Sequence, residues 1–320
     1  MPSPRAANNA PRRYLYPFQI PAMLRSAFGL FALCLLAQVA NAQAPNTQLY
    51  VFDLTLSDTS VVLNKPLYLT DFNRDGYNNQ PYWIDDNRLY ASVQLPGQEQ
   101  PDVYRFDLAS RTREQMTATQ AGEYSPKTQV AGGDRFTAVR QEYVGRDTVL
   151  RLWDFPADRS DNGRPVFTSL TGIGYYEWLN ASQLALFLVE NPSRLVLSAA
   201  GDGATPREIA PNTGRTFGRL ANGNLVYVDK STSDWQLQEK NLYRLEEPAR
   251  TVGPMLEGSE DFVVLRDGSY LTGRGSRLYR LRANDAEGWR LVADLSNYGL
   301  QNITRLSVNR NGRLALVSEQ

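Results

Sequence analysis

Histidine is absent from the 320 residues, and cysteine occurs once, at Cys34. The first absence excludes Ser-His-Asp and Cys-His catalysis. It also removes His-ligated zinc, and a lone cysteine cannot build the cysteine-rich zinc sites. Haem attachment through C-x-x-C-H fails for the same reason. Carboxylate, Tyr, Lys and Arg chemistry remain, or no catalysis at all. Beyond residue 42 the chain also lacks helical periodicity, coiled-coil heptads and any long Pro/Ser linker that would divide it into domains.

Residues 1–42 contain no Asp or Glu and four Arg. Within them FGLFALCLLA (28–37) is an apolar run too short to span a bilayer as a helix. Ala40-Asn41-Ala42 follows, the small-x-small pattern of signal peptidase cleavage. The reading is a signal peptide over 1–42, with Met23 as an alternative start and an uncut membrane anchor as the competing reading. Cys34 lacks the small preceding residue of a lipoprotein signal, so it packs in the apolar run and leaves with it. The whole chain balances 34 basic against 34 acidic residues. Residues 43–320 hold 30 basic and 34 acidic residues, a net charge of −4, which argues against a nucleic-acid partner. No transmembrane segment is expected after cleavage.

What fills 43–320 is a repeat. Six segments share an apolar or aromatic stretch, a tight Asn/Asp/Gly turn and an alternating strand: PYWIDDNRLYASV (81–93), YSPKTQVAGGDRFTAV (124–139), YYEWLNASQLALFLV (175–189), TFGRLANGNLVYV (216–228), DFVVLRDGSYLTG (261–273) and ITRLSVNRNGRLALV (303–317). Their turns centre near Asn87, Gly133, Ala181, Gly223, Gly268 and Gly312, at spacings of 46, 48, 42, 45 and 44. Asn-Gly and Asp-Gly between alternating apolar residues are hairpin signals. Each hairpin is followed by a second strand pair, led by DVYRFDL (102–108), LRLWDF (150–155), RLVLSA (194–199), WQLQEK (235–240) or RLYRLR (277–282) and closed by short strands such as REQMTAT (113–119) or WRLVADL (289–295). Four strands per repeat of this length describe a propeller blade. The last hairpin has no second pair. The N-terminal LYVFDLTL (49–56) and KPLYLTD (65–71) form an orphan pair, and LYVFDL resembles VYRFDL (103–108). The expectation is therefore all-β: a single six-bladed β-propeller of four-stranded antiparallel blades over 43–320, closed by pairing the N-terminal strands with the C-terminal hairpin, so that no sheet edge stays open.

These hairpins resemble the TolB-like, WD-like propeller repeats of exported bacterial proteins. EYSPKTQVAGG, LRDGSYL, VNRNGRLALV and the GYNNQPYW stretch before the first blade carry the resemblance, which covers 49–320. Lys127 and Thr128 depart from it where Asp-Gly would stand, the hairpin at Asn180 lacks Gly, and the Gly-His pair of WD repeats is absent. The resemblance implies a fold and export to the periplasm, with secretion as the alternative. It implies no reaction, because propellers host many functions.

In a propeller the segments entering each innermost strand ring one mouth of the channel. Here they offer Asn79, Gln80, Glu123, Tyr124, Tyr175, Glu177, Arg215, Glu260, Asp261, Asn302 and Arg305. Acids, amides, Tyr and Arg converging on a concavity suit a polar ligand or an extended chain; they also suit a channel that only satisfies strand ends and water. Glu123, Glu177 and Glu260 supply carboxylates for glycoside hydrolysis, which needs two at a set separation. A sialidase is disfavoured, since no S-x-D-x-G-x-x-W repeat occurs. A calcium-dependent lactonase is compatible with the carboxylates and amides.

DFNRDGYNNQPYW (71–83) opens like a calcium loop, with Asp71, Asn73 and Asp75 as ligands. Its twelfth position is Tyr82 where an EF-hand places a bidentate acid. The favoured reading is a blade junction turned at Asp75-Gly76, so no cofactor is expected, with calcium as the alternative. The leading expectation is a monomeric, exported, non-catalytic binding or scaffolding protein that engages a protein, peptide or envelope glycan through the channel mouth. A carboxylate-based or calcium-dependent glycosidase or lactonase is the rival, and a structural module with a large apolar outer patch is the third.

Overall fold

The computed structural model describes Met1 and residues 44–320, apart from 58–59, 130–133, 284 and 286. The signal peptide with Met23 and Cys34 therefore lies outside the described residues, as does the hairpin turn at Gly133. Among the described residues no helix is long and apolar enough to cross a membrane.

Residues 44–320 form one unit of six four-stranded antiparallel sheets. The chain enters through β1 (Thr47–Leu56) and β2 (Val61–Tyr68). Blade 1 follows as β3 (Tyr77–Trp83), β4 (Arg88–Gln94), β5 (Asp102–Asp107) and β6 (Thr112–Gln115). Blade 2 is β7 (Gly122–Thr128), β8 (Arg135–Val144), β9 (Asp147–Pro156) and the two-residue β10 (Arg164–Pro165). Blade 3 is β11 (Ile173–Trp178), β12 (Gln183–Leu188), β13 (Arg194–Ala199) and β14 (Arg207–Pro211). Blade 4 is β15 (Thr213–Arg219), β16 (Leu225–Asp229), β17 (Gln236–Lys240) and β18 (Arg250–Pro254). Blade 5 is β19 (Phe262–Val264), β20 (Tyr270–Arg274), β21 (Arg277–Leu281) and β22 (Arg290–Asp294). The chain ends in β23 (Asn302–Val308) and β24 (Arg313–Glu319), which join β1 and β2 in the order β2-β1-β24-β23. Blade 6 is thus the composite expected from the orphan pair, registered from Thr47 opposite Glu319 to Asp53 opposite Arg313.

The strand ends differ from the sequence expectation in two places. The second N-terminal strand spans 61–68 rather than 65–71, and Asp71 starts a short 3-10 turn, Asp71–Asn73. The mouth residues of blades 1 to 4 and of blade 6, expected in loops, stand within the innermost strands, which are irregular there, whereas Glu260 and Asp261 precede β19 in a loop. Register shifts interrupt β3 after Asn79, β7 after Tyr124, β11 after Ile173, β15 after Thr213 and β23 after Ile303. In β3 and β7 the shift spans an X-Pro pair, Gln80-Pro81 and Ser125-Pro126, with φ of 56° at Gln80 and 53° at Ser125. Proline cannot donate to a ladder, so it is tolerated in a strand at a bulge, and a bulge re-aims the neighbouring side chains.

The core is six clusters, one in each seam between adjacent blades. Second strands feed two seams at once because side chains alternate across a sheet. In β24, Leu314 and Leu316 pack towards blade 5 while Ala315 and Val317 pack towards blade 1. In β12, Leu184, Leu186 and Leu188 face blade 2, and Ala185 and Phe187 face blade 4. This two-sided burial explains the unbroken apolar runs LALFL, LVYV and LALV.

Leu316, fully buried, and Leu67, 43 % exposed on β2, give a direct contrast. Leu316→Ala is expected to cost about 2–5 kcal/mol through lost burial and the cavity left behind. Leu67→Ala should stay within about 0.5 kcal/mol. Urea unfolding of both variants measures the difference.

Candidate functional site

At the mouth every blade contributes one side chain from its innermost edge to a cluster: Tyr77, Tyr124, Tyr175, Arg215, Asp261 and Arg305, from blades 1 to 6 in order. Arg305 of blade 6 reaches across the ring to blade 3, donating to the Tyr175 hydroxyl at 2.6 Å, with its guanidinium 5.0 Å from that ring's centre. It also lies 3.6 Å from Asp261. Arg215 donates to the Asp261 carboxylate through Nη2 and, at 3.2 Å, through Nε. Thr216 donates to the other carboxylate oxygen at 2.8 Å. Tyr77 and Tyr124 meet edge to face with ring centres 6.4 Å apart. One carboxylate thus holds two guanidiniums in a site where the Asp261 and Arg305 side chains are only 12 % and 14 % exposed.

The electrostatics follow. Burial pulls the Arg305 guanidinium down, but Asp261, Tyr175 and Tyr77 outweigh it and the net shift is upward. Burial raises the Tyr77 phenol far above its usual range and pushes Tyr124 up to about 12. Both stay protonated as hydroxyls, and the cluster carries Arg⁺-Asp⁻-Arg⁺ charge at neutral pH.

The other mouth residues have separate partners. Glu260 accepts the Arg215 backbone N–H at 2.7 Å and sits 3.6 Å from Lys230. Glu177 pairs with Lys127 of the neighbouring blade. Lys127 is the residue standing where an Asp would continue the Ser-Pro-Asp-Gly pattern; in the structure SPKT is strand rather than turn, and the lysine supplies this contact. Gln80 accepts the Ser125 N–H at 2.8 Å, bridging blades 1 and 2, and the Asn79 side chain accepts the Gln80 N–H. Asn302 is exposed on the rim beside Glu319. Glu123 is fully buried and turned back into its own blade. It accepts from Arg140 Nε at 2.9 Å and Thr119 Oγ1 at 2.6 Å, and Arg140 is stacked 3.8 Å from the Trp153 ring. Its Oε2 has no hydrogen-bond partner. Burial raises the Glu123 carboxyl to about 7, despite Thr119 and Arg140.

Sequence reasoning missed Tyr77 and Lys127. Tyr77 lies inside the quoted GYNNQPYW stretch, and its signal was that it is the one aromatic at the start of that polar run. Asn78, buried beside it, forms a clasp with Asn73. Asn73 Nδ2 donates to Asn78 Oδ1 at 2.9 Å and to the Gln94 carbonyl at 3.1 Å. Asn78 Nδ2 donates to the Thr47 and Asn73 carbonyls at 2.7 and 2.9 Å. This ties β1 of blade 6 to β3 of blade 1. Gly76 is part of it, since a Cβ there would lie 2.2 Å from Asn73 Oδ1. Asp71 and Asp75 are exposed on the surface while the Asn73 amide is buried in the clasp. Among the described residues no group of three or more His, Cys, Asp or Glu is placed to hold a metal.

Two outcomes test this geometry. Asp261→Ala leaves two guanidiniums without their shared carboxylate and is expected to destabilise by about 3–5 kcal/mol, the usual cost of orphaning a buried charge. Adding Arg305→Met should recover part of the loss, which a double-mutant cycle in urea measures. Glu123 binds its proton more tightly folded than unfolded, so stability should fall as pH rises from about 4.5, the ordinary glutamate value, to about 7 and then level off. Glu123→Gln should flatten that part of the curve in thermal melts between pH 4 and 8; parallel curves would contradict the assignment.

No family model matches the chain, and no curated protein matches it in sequence. Solved structures do match in fold. A protein assigned as TolB from Agrobacterium tumefaciens aligns with a TM-score of 0.61 at 11 % identity, over 87 % of this chain and 99 % of that one. TolB from Acinetobacter baumannii aligns with a TM-score of 0.53 at 14 % identity, over 94 % of this chain and 72 % of that one. A puromycin hydrolase aligns with a TM-score of 0.54 at 13 % identity, over 83 % of this chain and 48 % of that one. At such identities the shared property is the fold, and the chain is a six-bladed β-propeller of the fold seen in TolB.

Proposed function

We propose that this is an exported, non-catalytic binding or scaffolding protein that engages a protein, peptide or envelope glycan on the mouth face of the propeller. The observation that carries the reading is the state of the mouth carboxylates. Glycosidase chemistry needs two carboxylates facing each other across an open gap. Here Glu123, Glu177 and Asp261 are each held by a cation, and Glu260 by a backbone N–H and Lys230. Glu123, whose raised carboxyl would otherwise suit a general acid, is fully buried. Groups so committed build a rigid surface rather than a reaction centre. The fold is shared with proteins as different as TolB and a puromycin hydrolase, so it does not choose between binding and hydrolysis. The basic, apolar and small-x-small order of residues 1–42 supports export, to the periplasm or beyond. The 71–83 stretch serves as a blade junction, a reading supported by the Asn73–Asn78 clasp.

A photo-crosslinking residue at Asn302 on the rim should yield adducts in the cell envelope, and the same residue at Leu291 on outer strand β22 should not. Glycoside and lactone substrates should show no turnover with or without millimolar calcium. Turnover abolished by Glu260→Gln would instead establish the hydrolase. Melting temperatures in EDTA and in calcium should coincide. A calcium site filled at a hundred times its dissociation constant would add about 2.7 kcal/mol, and its loss in Asp75→Ala would place the ion in the junction.

A further inference from the structure

Open volume lies beside the Arg215–Asp261–Arg305–Tyr175 cluster. It is a cleft of 830 Å³ between the mouth-side loops of blades 4 and 5 and the start of blade 6. Its volume falls in the range of ligand pockets, about 300–1,000 Å³. Trp235 and Met255 supply an apolar wall, and the Lys230 ammonium stands 3.9 Å from the centre of the Trp235 ring. On another side Ile303 packs onto the buried Gly273, where a Cβ would lie 2.4 Å from the Ile303 side chain. Thr304 also lines the cleft, and its buried Oγ1 has no hydrogen-bond partner.

The charges point to the chemistry of the occupant. Four carboxylates line the cleft, and two of them, Glu260 and Asp261, are committed to the plug and to Lys230. Asp234 and Glu257 are exposed and, among the described residues, in no ion pair; the Asp234 carboxylate accepts only from the Ser233 hydroxyl, at 3.5 Å. Arg274 at the end of β20 is, among the described residues, the single cleft cation likewise outside any ion pair. The open balance is two carboxylates against one guanidinium, beside an indole. Lys230 already takes the Trp235 face, so the attraction for an ammonium or guanidinium comes from the two open carboxylates, and the Arg274 donors suit main-chain carbonyls.

We propose that this off-axis cleft is the ligand site of the mouth face, and that it takes an extended peptide segment presenting a Lys or Arg side chain between Asp234 and Glu257. The proposal rests on the binding reading above and narrows it to one place and one ligand class.

The test is an array of random-sequence 12-residue synthetic peptides probed with the protein and with its Asp234→Asn/Glu257→Gln variant. Both substituted side chains are exposed, so the variant should fold and melt as the parent does. Hits should be enriched in Lys and Arg, and their dissociation constants should rise at least tenfold in the variant. A control substitution on the outer face, Glu287→Gln, should leave them unchanged. Hits that bind the variant as tightly as the parent would overturn the cleft assignment while leaving the binding function standing. The same holds for hits without basic residues, or for an array that stays blank while an oligosaccharide such as chitotetraose binds. Substrate turnover in the glycoside and lactone screen would overturn the broader reading instead.

Discussion

The pairing of β1 with β24 holds the ring shut, and everything else in the molecule depends on it. Seven residues, Thr47 to Asp53, lie opposite Glu319 to Arg313, joining chain positions 260 to 272 apart. Without that ladder β24 would be an open edge, and the seam clusters on either side of blade 6 would lose a wall. Leu49 and Val51 belong to the seam with blade 1, and Phe52 and Leu54 to the seam with blade 5. The Asn73–Asn78 clasp reinforces the closure where the chain leaves the composite blade for the next. A polar stretch that reads like a metal loop is therefore built into the joint between the composite blade and blade 1, where amides satisfy buried backbone groups that would otherwise lack partners.

Closure has a consequence for the axis. Six blades arranged in a ring point six innermost strands at one channel, and five of those strands carry a register shift near their mouth end. The shifts re-aim side chains, so that Tyr, Arg and Asp residues from distant repeats meet. The result is a plug of alternating charge with aromatic hydroxyls, in which burial and ion pairing oppose each other at Arg305 and pairing wins. A plug of this kind fixes the relative position of the blades at their narrow end. Beside it lies the cleft at Trp235, where Asp234, Glu257 and Arg274 are in no ion pair among the described residues.

Much of the fold was legible because a blade is a local object. Four strands within about forty-five residues alternate with a period of two, and turns such as Asn222-Gly223 and Asp267-Gly268 announce the hairpins. The second strands were legible as short apolar runs, since both faces are buried in seams. The fourth strands were less so: β10 spans two residues and has little pattern to read. The bulged starts of β3 and β7 were read as loops, because Gln80-Pro81 and Ser125-Pro126 signal a break and a break in a strand looks like its end.

The site divides along the same line. Its residue types were set by the sequence: no histidine, hence no imidazole chemistry, and a mouth rich in acids, amides, Tyr and Arg. Which of them meet was decided by the ring. Arg305 and Tyr175 are 130 positions apart and touch only because blades 3 and 6 stand opposite each other. Glu123 follows the same polar stretch pattern as Glu260, yet it turns inward to Arg140 while Glu260 bridges to the backbone of blade 4. A period of two tells which face a residue takes on an ideal strand, but one bulge shifts that register by a residue and reverses the answer. The sequence by itself thus determined the repeat, the number of blades, the half-blades that close the ring and the chemistries excluded. Only the tertiary structure decided which polar side chains neutralise one another at the axis and which stay open beside it, because that depends on contacts between repeats that no local pattern encodes.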